Sequence, residues 1–311
     1  MTGNRAKKEI DNEGIEVRLL LEAIYLKYGY DFRDYASTHI RRRVNHRLAI
    51  SESPTISDMI HRVLNDPSFF EGLLQDLSIN VTHMFRDPPL YRAVREEVVP
   101  HLSTYPFIKI WHAGCATGEE VYSFSILFQE EGLKDRSQTY ATDFDASILE
   151  LAMQGIYPVD CVRRYTANYH EAGGKNAFAD YYTAMYDSVT MDTSLRKRVL
   201  FSLHNLATDS VFGEMNIIFC RNVMIYFNRD LQDRVVKLFL DSLCPGGFLC
   251  LGSKESLAFS KYADRFTLVN EKERIYRKRR RKMPMTRGGD PLLASNGTGE
   301  LKKPRVKGKN A

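Results

Sequence analysis

Apolar residues recur at helical spacing through roughly the first ninety residues, and nowhere there do they alternate as a strand would require. IEVRLLLEAIYLKYG (15–29) ends on a glycine suited to a C-cap. YASTHIRRRVNHRLAIS (35–51) follows, with Ser37 or Thr38 placed to cap it. SESPTISDMIHRVLND (51–66) sets Ser57 ahead of a third run, and DPSFFEGLLQDLSI (66–79) carries Pro67 in a first helical turn. The pattern predicts a small helical bundle.

From about residue 107 the pattern changes. FIKIW (107–111) reads as a strand and precedes a helix over 119–129. TYATD (139–143) reads as a second strand, followed by a helix over 146–154. MNIIFC (215–220) leads into a helix over 229–243. A CPGG turn (244–247) then introduces the strand FLCLGS (248–253), and FTLVN and RIYRK (266–270, 274–278) close the sheet edge. Strands separated by helices of about a dozen residues imply a doubly wound, mostly parallel sheet. Between these, YYTAMYDSVTMDTSLRKRVLFSLHN (181–205) alternates around a polar turn, as an inserted hairpin would. The expected organisation is an α/β chain: a helical domain over 1–90, a sheet domain over 91–282 with an inserted β-hairpin at 181–203, and a tail over 283–311.

Charge changes the picture of that tail. The net charge of +5 hides a division, because residues 277–311 carry twelve Lys/Arg against Asp290 and Glu300, a net of +10, which leaves −5 on the other 276. Poor in apolar residues and rich in Gly, Pro and Lys/Arg, the tail is expected to be disordered: either a solvated segment with no defined partner, or one that touches nucleic acid, anionic lipid or an acidic partner. The chain as a whole is 43% hydrophobic and 27% charged, as in globular proteins. No apolar run is long enough to span a bilayer, and the N-terminus lacks a secretory h-region. Five cysteines, at 115, 161, 220, 244 and 250, form no C-x-x-C pair. This fits reduced thiols in a cytoplasmic protein better than a disulfide framework or a zinc site.

The candidate chemistry lies where the first strand ends. WHAGCATGEEVYSF (111–124) stops on a bend of small residues and opens the next helix with Glu119 and Glu120. In an open α/β sheet ligands bind beyond the C-terminal strand ends, and residues such as Gly114 let a ligand approach the backbone. The spacing is neither G-x-G-x-x-G nor a P-loop. Acids at a helix N-terminus also occupy the electropositive place that a phosphate would need. A nucleoside bearing a zwitterionic or cationic group suits this bend better. Asp143, ending the second strand, stands where ribose hydroxyls are held in such folds. Alternatively, Asp143 or Asp145 simply caps the helix that follows.

WHAGCATGEEVYSF, ATDFDASILELAMQGIY and IIFCRNVMIYF, with INVTHMFRD (79–87), HNL (204–206) and PGGFLCLGSKESL, together resemble the CheR family of chemoreceptor glutamate methyltransferases over about 75–278. The resemblance implies a class I methyltransferase fold behind an all-α domain. It also implies S-adenosyl-L-methionine (SAM) as cofactor, with S-adenosyl-L-homocysteine as product, and methyl esterification of glutamate side chains in the cytoplasmic helical region of chemoreceptors. Position by position, it puts Asn80, Thr82 and Arg86 at the methionine end and the reacting centre. Glu119 and Asp143 hold the amino-acid or nucleoside portions, Asn205 and Leu206 border the adenine, and Arg221 and Asn222 contact the cofactor. Arg86 orients the acceptor carboxylate with help from Tyr226. Arg43 and Arg47, four residues apart on one helix face with Arg41 and Arg42 beside them, form a basic surface for glutamate-rich receptor helices. The 181–203 hairpin is the candidate place for a receptor tether, and the chain is expected to act as a monomer.

Three other readings stay open on the residues alone. The same chemistry can serve another protein, an RNA or a small molecule. A non-catalytic adaptor can bind SAM in a signalling array. A nicotinamide oxidoreductase is disfavoured by the missing phosphate loop.

Overall fold

The computed structural model describes residues 11–78 and 81–280. The tail expected over 283–311 lies outside them. Four helices come first: α1 (Asn12–Tyr28), α2 (Ser37–Ile50), α3 (Ile56–Asn65) and α4 (Pro67–Leu77). Each buries one stripe, with Leu20, Ile24, Val44, Met59, Val63 and Leu73 in a shared core whose last residue is Leu77. The caps explain the boundaries. Gly29, at φ 79°, ends α1, and Asp66 accepts from the Ser68 and Phe69 amides to start α4. Two expected caps differ. Thr55, not Ser57, caps α3, and Ser57 instead donates to Glu16 of α1. The N-cap of α2 is Ala36, which has no side-chain oxygen to accept from the first turn, and its own amide donates to the Tyr226 carbonyl, 2.8 Å away.

After α5 (Pro88–Ala93) the helix continues through a π-helical stretch, Val94–Val98, into α6 (Val99–Leu102). The sheet unit then proceeds β1 (Ile108–Ala113), α7 (Glu119–Glu130), β2 (Ser137–Asp143), α8 (Ala146–Gln154), β3 (Ile156–Pro158), α9 (Val162–Glu171), β4 (Tyr182–Met185), β5 (Ser188–Met191), β6 (Val199–Leu203), β7 (Met215–Cys220), α10 (Arg229–Ser242), β8 (Leu243–Leu251), β9 (Phe266–Asn270) and β10 (Ile275–Lys278). The main sheet runs β6-β2-β1-β7-β8-β10-β9. Its first five strands are parallel, and β10 is antiparallel to both neighbours.

Side chains alternate between two cores, as a strand's period of two requires. Ile108, Ile110, Ile217 and Phe219 face α5–α7 and α9, whereas Trp111, Ala113, Ile218 and Cys220 face α10. Burial on both faces makes these strands continuous apolar runs.

Two expectations are corrected. The stretch 181–203 is not one hairpin: β4 and β5 form it, β3 joins as a third strand, and β6 pairs with β2 at the edge of the main sheet. Short alternating runs look alike whichever sheet recruits them. The CPGG segment is no turn either. It lies within β8, where the register steps from Met215↔Leu243 to Ile217↔Phe248 and Gly246 takes φ 86°. The glycines allow a bulge inside the strand.

The chain order reverses between β1 and β7, and the helical unit covers the C-terminal strand ends there. Tyr35 bridges Phe227, the Asn228 amide donates to the Asp34 carbonyl at 2.8 Å, and Phe144 after β2 packs edge-on against Tyr30 and Phe32.

Candidate active site

A cleft of about 1280 Å³, including its open mouth, lies between the strand ends and α2. Four strand ends supply its floor: Gly114–Ala116 after β1, Asp143 at the end of β2, His204–Leu206 after β6 and Arg221–Val223 after β7. The segment before α5 adds Thr82 and Arg86, and α2 adds His39 and Arg43.

The bend after β1 follows from local requirements. Gly114 and Gly118 take φ of 77° and 91°, values that L side chains adopt at a cost. A Cβ on Gly114 would stand 2.6 Å from Val223 Cγ2. The Gly114 and Cys115 amides donate to the Thr142 carbonyl at 2.9 Å, and the Ala116 amide donates to Asp143 Oδ2 at 3.0 Å. Asp143 therefore holds the bend as well as facing the cleft. Its burial raises the carboxyl pKa to about 6 against the two amides it accepts from. Asp145, not Asp143, caps α8.

The two acids opening α7 take different places. Glu119 is not among the cleft-lining residues; it accepts from Thr117 Oγ1 at 2.6 Å and Tyr165 Oη at 3.5 Å, with its pKa raised by burial. Glu120 lines the cleft. It meets His112 Nδ1 at 3.0 Å and Arg221 Nη1 at 2.8 Å. Burial pushes its pKa up, but His112 and Arg221 outweigh that and hold it below the ordinary value. A helical period explains what adjacency in sequence hides: successive residues point about 100° apart.

Arg221 also donates to the Arg86 carbonyl at 3.1 Å and to Asp87 Oδ2 at 2.8 Å. The buried guanidinium thus ties β7 to α7 and to the segment carrying Arg86. Arg86 itself donates only to the Val81 carbonyl, at 3.0 Å, and has no acidic partner among the described residues. Arg43 has none either, and its Nε is buried without a hydrogen bond. Tyr226 lies edge-on to His39 with ring centres 5.1 Å apart. Burial raises its pKa against the fields of Arg86 and Arg43, so its hydroxyl stays protonated and able to donate.

The structure gathers Thr82, Arg86, Gly114, Asp143, Asn205, Leu206, Arg221, Asn222, Tyr226 and Arg43 around one cleft. It does not bring Glu119, Arg41, Arg42 or Arg47 there, and Asn80 lies outside the described residues. Arg47 is engaged inside the bundle by Asp76 and the Gly72 carbonyl, and Arg41 pairs with Asp11 at 2.9 Å. Arg42 is exposed on α2. Among cleft residues that sequence reasoning missed are Glu120, His39 and Phe144. Only Glu120 carried a local signal, as the second of two acids. The arrangement suits a nucleoside with a charged extension: a backbone-lined bend, a buried carboxylate at the end of β2, and the Asn205–Leu206 edge beside them.

Comparison with known proteins shows the family. The family model "CheR methyltransferase, SAM binding domain" matches residues 80–275, and "CheR methyltransferase, all-alpha domain" matches residues 15–78. A Pseudomonas putida protein named methyltransferase Cher3, with that activity assigned provisionally, is 56% identical over 267 residues, covering 86% of this chain and 98% of its own. A "Chemotaxis protein methyltransferase" of Listeria innocua is 27% identical over 231 residues, 74% of this chain and 85% of its own. A "Chemotaxis protein methyltransferase 2" of Vibrio cholerae is 27% identical over 246 residues, 75% and 83%. The chain belongs to the CheR methyltransferase family.

Proposed function

We propose that this member of the CheR methyltransferase family, a SAM-dependent methyltransferase, esterifies glutamate side-chain carboxylates on the helical cytoplasmic region of chemoreceptors. One observation carries the choice of an anionic acceptor. Arg43 and Arg86 face the cleft without an acidic partner among the described residues, and Arg43 Nε is buried with no hydrogen bond. Other arginines around the site do have acidic partners: Arg221 meets Glu120 and Asp87, although its Nε is also buried without a hydrogen bond, and Arg47 meets Asp76. A guanidinium that faces a cleft with no acidic partner is a ready site for an incoming carboxylate.

Bound in the cleft, SAM supplies a sulfonium-activated methyl group. The residues fitted to hold it are the Gly114–Ala116 bend, Asp143, the Asn205–Leu206 edge and Asn222, with Thr82 at the segment that carries Arg86. A glutamate carboxylate is already ionised at neutral pH, so no side chain needs to take its proton. Arg43 and Arg86 bind the acceptor and aim it, and the protonated Tyr226 hydroxyl donates to one carboxylate oxygen, leaving the other free to react. Charge is lost as anion and cation react, so strong pairing to Arg86 would blunt the nucleophile. Alignment and the exclusion of water by the overlying α2 therefore matter more than attraction.

The test is incubation of the protein and methyl-labelled SAM with membranes bearing the host's chemoreceptors. Label on a receptor-sized band, released as a volatile product by mild alkali, is expected. Base-stable label, or label elsewhere, defeats the glutamate-ester reading.

A further inference from the structure

The loop after β7 is shaped by a residue that does not line the cleft. Asn222, a non-glycine residue, is held at φ 60°, a left-handed conformation that ordinarily costs free energy. The amides that follow this bend all point the same way. Asn222 N–H donates to Glu255 Oε2 at 2.9 Å, and the Val223 and Met224 amides donate to Glu255 Oε1 at 3.0 and 2.8 Å. Gly252 N–H donates to Oε2 at 2.6 Å. One buried carboxylate thus accepts four backbone N–H groups from two different loops, those after β7 and β8. Burial raises its pKa even against those four bonds. The loops touch so closely that a Cβ on Gly252 would stand 2.8 Å from the Asn222 nitrogen. On the opposite side, Val223 closes against Gly114 of the bend after β1.

We propose that Glu255 is a positioning residue for the cofactor: it fixes the left-handed turn at Asn222, and so sets Asn222 and Val223 against the Gly114 bend before SAM arrives. This rests on the reading that Asn222 and Val223 border the cofactor. A carboxylate is required because four converging donors need an acceptor-only group. Glutamine in its place turns an NH₂ toward amides that have nothing to accept with. The loop then samples other turns, and apparent affinity falls with the fraction of molecules in the competent one. At saturating cofactor the competent state is restored, so turnover returns.

The experiment compares Glu255→Gln with the natural chain. Calorimetry with S-adenosylhomocysteine is expected to show about tenfold weaker binding, the effect of a loop that is competent about one-tenth of the time. KM for SAM should rise by a similar factor, with kcat within about twofold. A folded Glu255→Gln protein with unchanged affinity and KM overturns the proposal. If that variant does not fold, amide hydrogen exchange on the natural chain decides. Slow exchange at residues 222–224 and 252 without cofactor is expected, and fast exchange there that slows only on adding S-adenosylhomocysteine overturns the proposal. Absence of any binding by the natural chain removes the cofactor site itself, an outcome separate from a Glu255 failure.

Discussion

Glu120 and Arg221, 101 residues apart in the chain, meet at 2.8 Å beneath the cleft. The contact joins the first turn of α7 to the end of β7, the two strand-end regions between which the chain order reverses. Because the same guanidinium also holds Asp87 and the Arg86 carbonyl, the pair sets the position of the segment that presents Arg86. Its role here is architectural, with cofactor contact a second function that the cleft permits.

Arg221→Ala leaves Glu120 buried with only His112 beside it among the described residues. We expect a loss of about 3–5 kcal/mol in unfolding free energy, the usual consequence of removing one side of a buried pair. Urea unfolding measures it. Arg221→Lys should recover little, because a single nitrogen cannot stand both where Nη1 meets Glu120 and where Nη2 meets Asp87 and the Arg86 carbonyl. Unchanged stability in both variants argues against the architectural role.

Arg86→Ala should lower turnover by about a hundredfold, the scale of a misaligned reacting pair. S-adenosylhomocysteine affinity should change far less. Near-normal turnover takes Arg86 out of the catalytic set.

Arg43 and Arg47 lie one helical turn apart and should behave oppositely. Arg43→Ala is expected to raise the acceptor KM and flatten its salt dependence, without altering the melting temperature. Arg47→Ala, which strands Asp76 and the Gly72 carbonyl, should lower stability by about 1–3 kcal/mol and leave acceptor KM alone. A reversed pattern would place the acceptor on a different face of α2.

Asp143 titrates near pH 6, above the ordinary carboxylate value, because burial disfavours its charge. The unfolded chain releases this proton first as pH rises. Ionising Asp143 therefore costs the folded state between about pH 4 and 6, and that cost is fully present above pH 6. A ribose needs the ionised form as acceptor. We expect calorimetric affinity for S-adenosylhomocysteine to be flat above about pH 6.5 and to fall below 6, approaching tenfold per pH unit. Asp143→Asn should bind weakly with no such pH dependence. A natural-chain profile that stays level to pH 5 counts against Asp143 as the ribose acceptor.

Much of the fold was legible in the chain because its signals are local. Helix α8 and strand β7 appear where the spacing of apolar residues and the turn residues put them. Gly29 and Pro67 mark helix ends through constraints that act within one turn of backbone. The bend after β1 announced itself by its lack of side chains. Harder to read were elements whose sheet membership depends on a distant partner. Residues 199–203 alternate as a hairpin arm would, and only the vacancy beside β2 makes them an edge strand. The CPGG segment resembles a turn until β7 runs alongside and continues the pairing past it.

The site divides in the same way. Periodicity, caps and the small-residue bend determined, by themselves, a helical bundle followed by an α/β sheet with a ligand bend at a strand end. Tertiary structure alone decided that Glu120 and not Glu119 lines the cleft, that Arg43 has no acidic partner among the described residues while Arg47 is held by Asp76, and that Glu255 gathers amides from two loops. Backbone preference and hydrophobic period act over a few residues, so sequence order carries them. Charge pairing and desolvation act between groups brought together from far along the chain, so they exist only once the strands have taken their order.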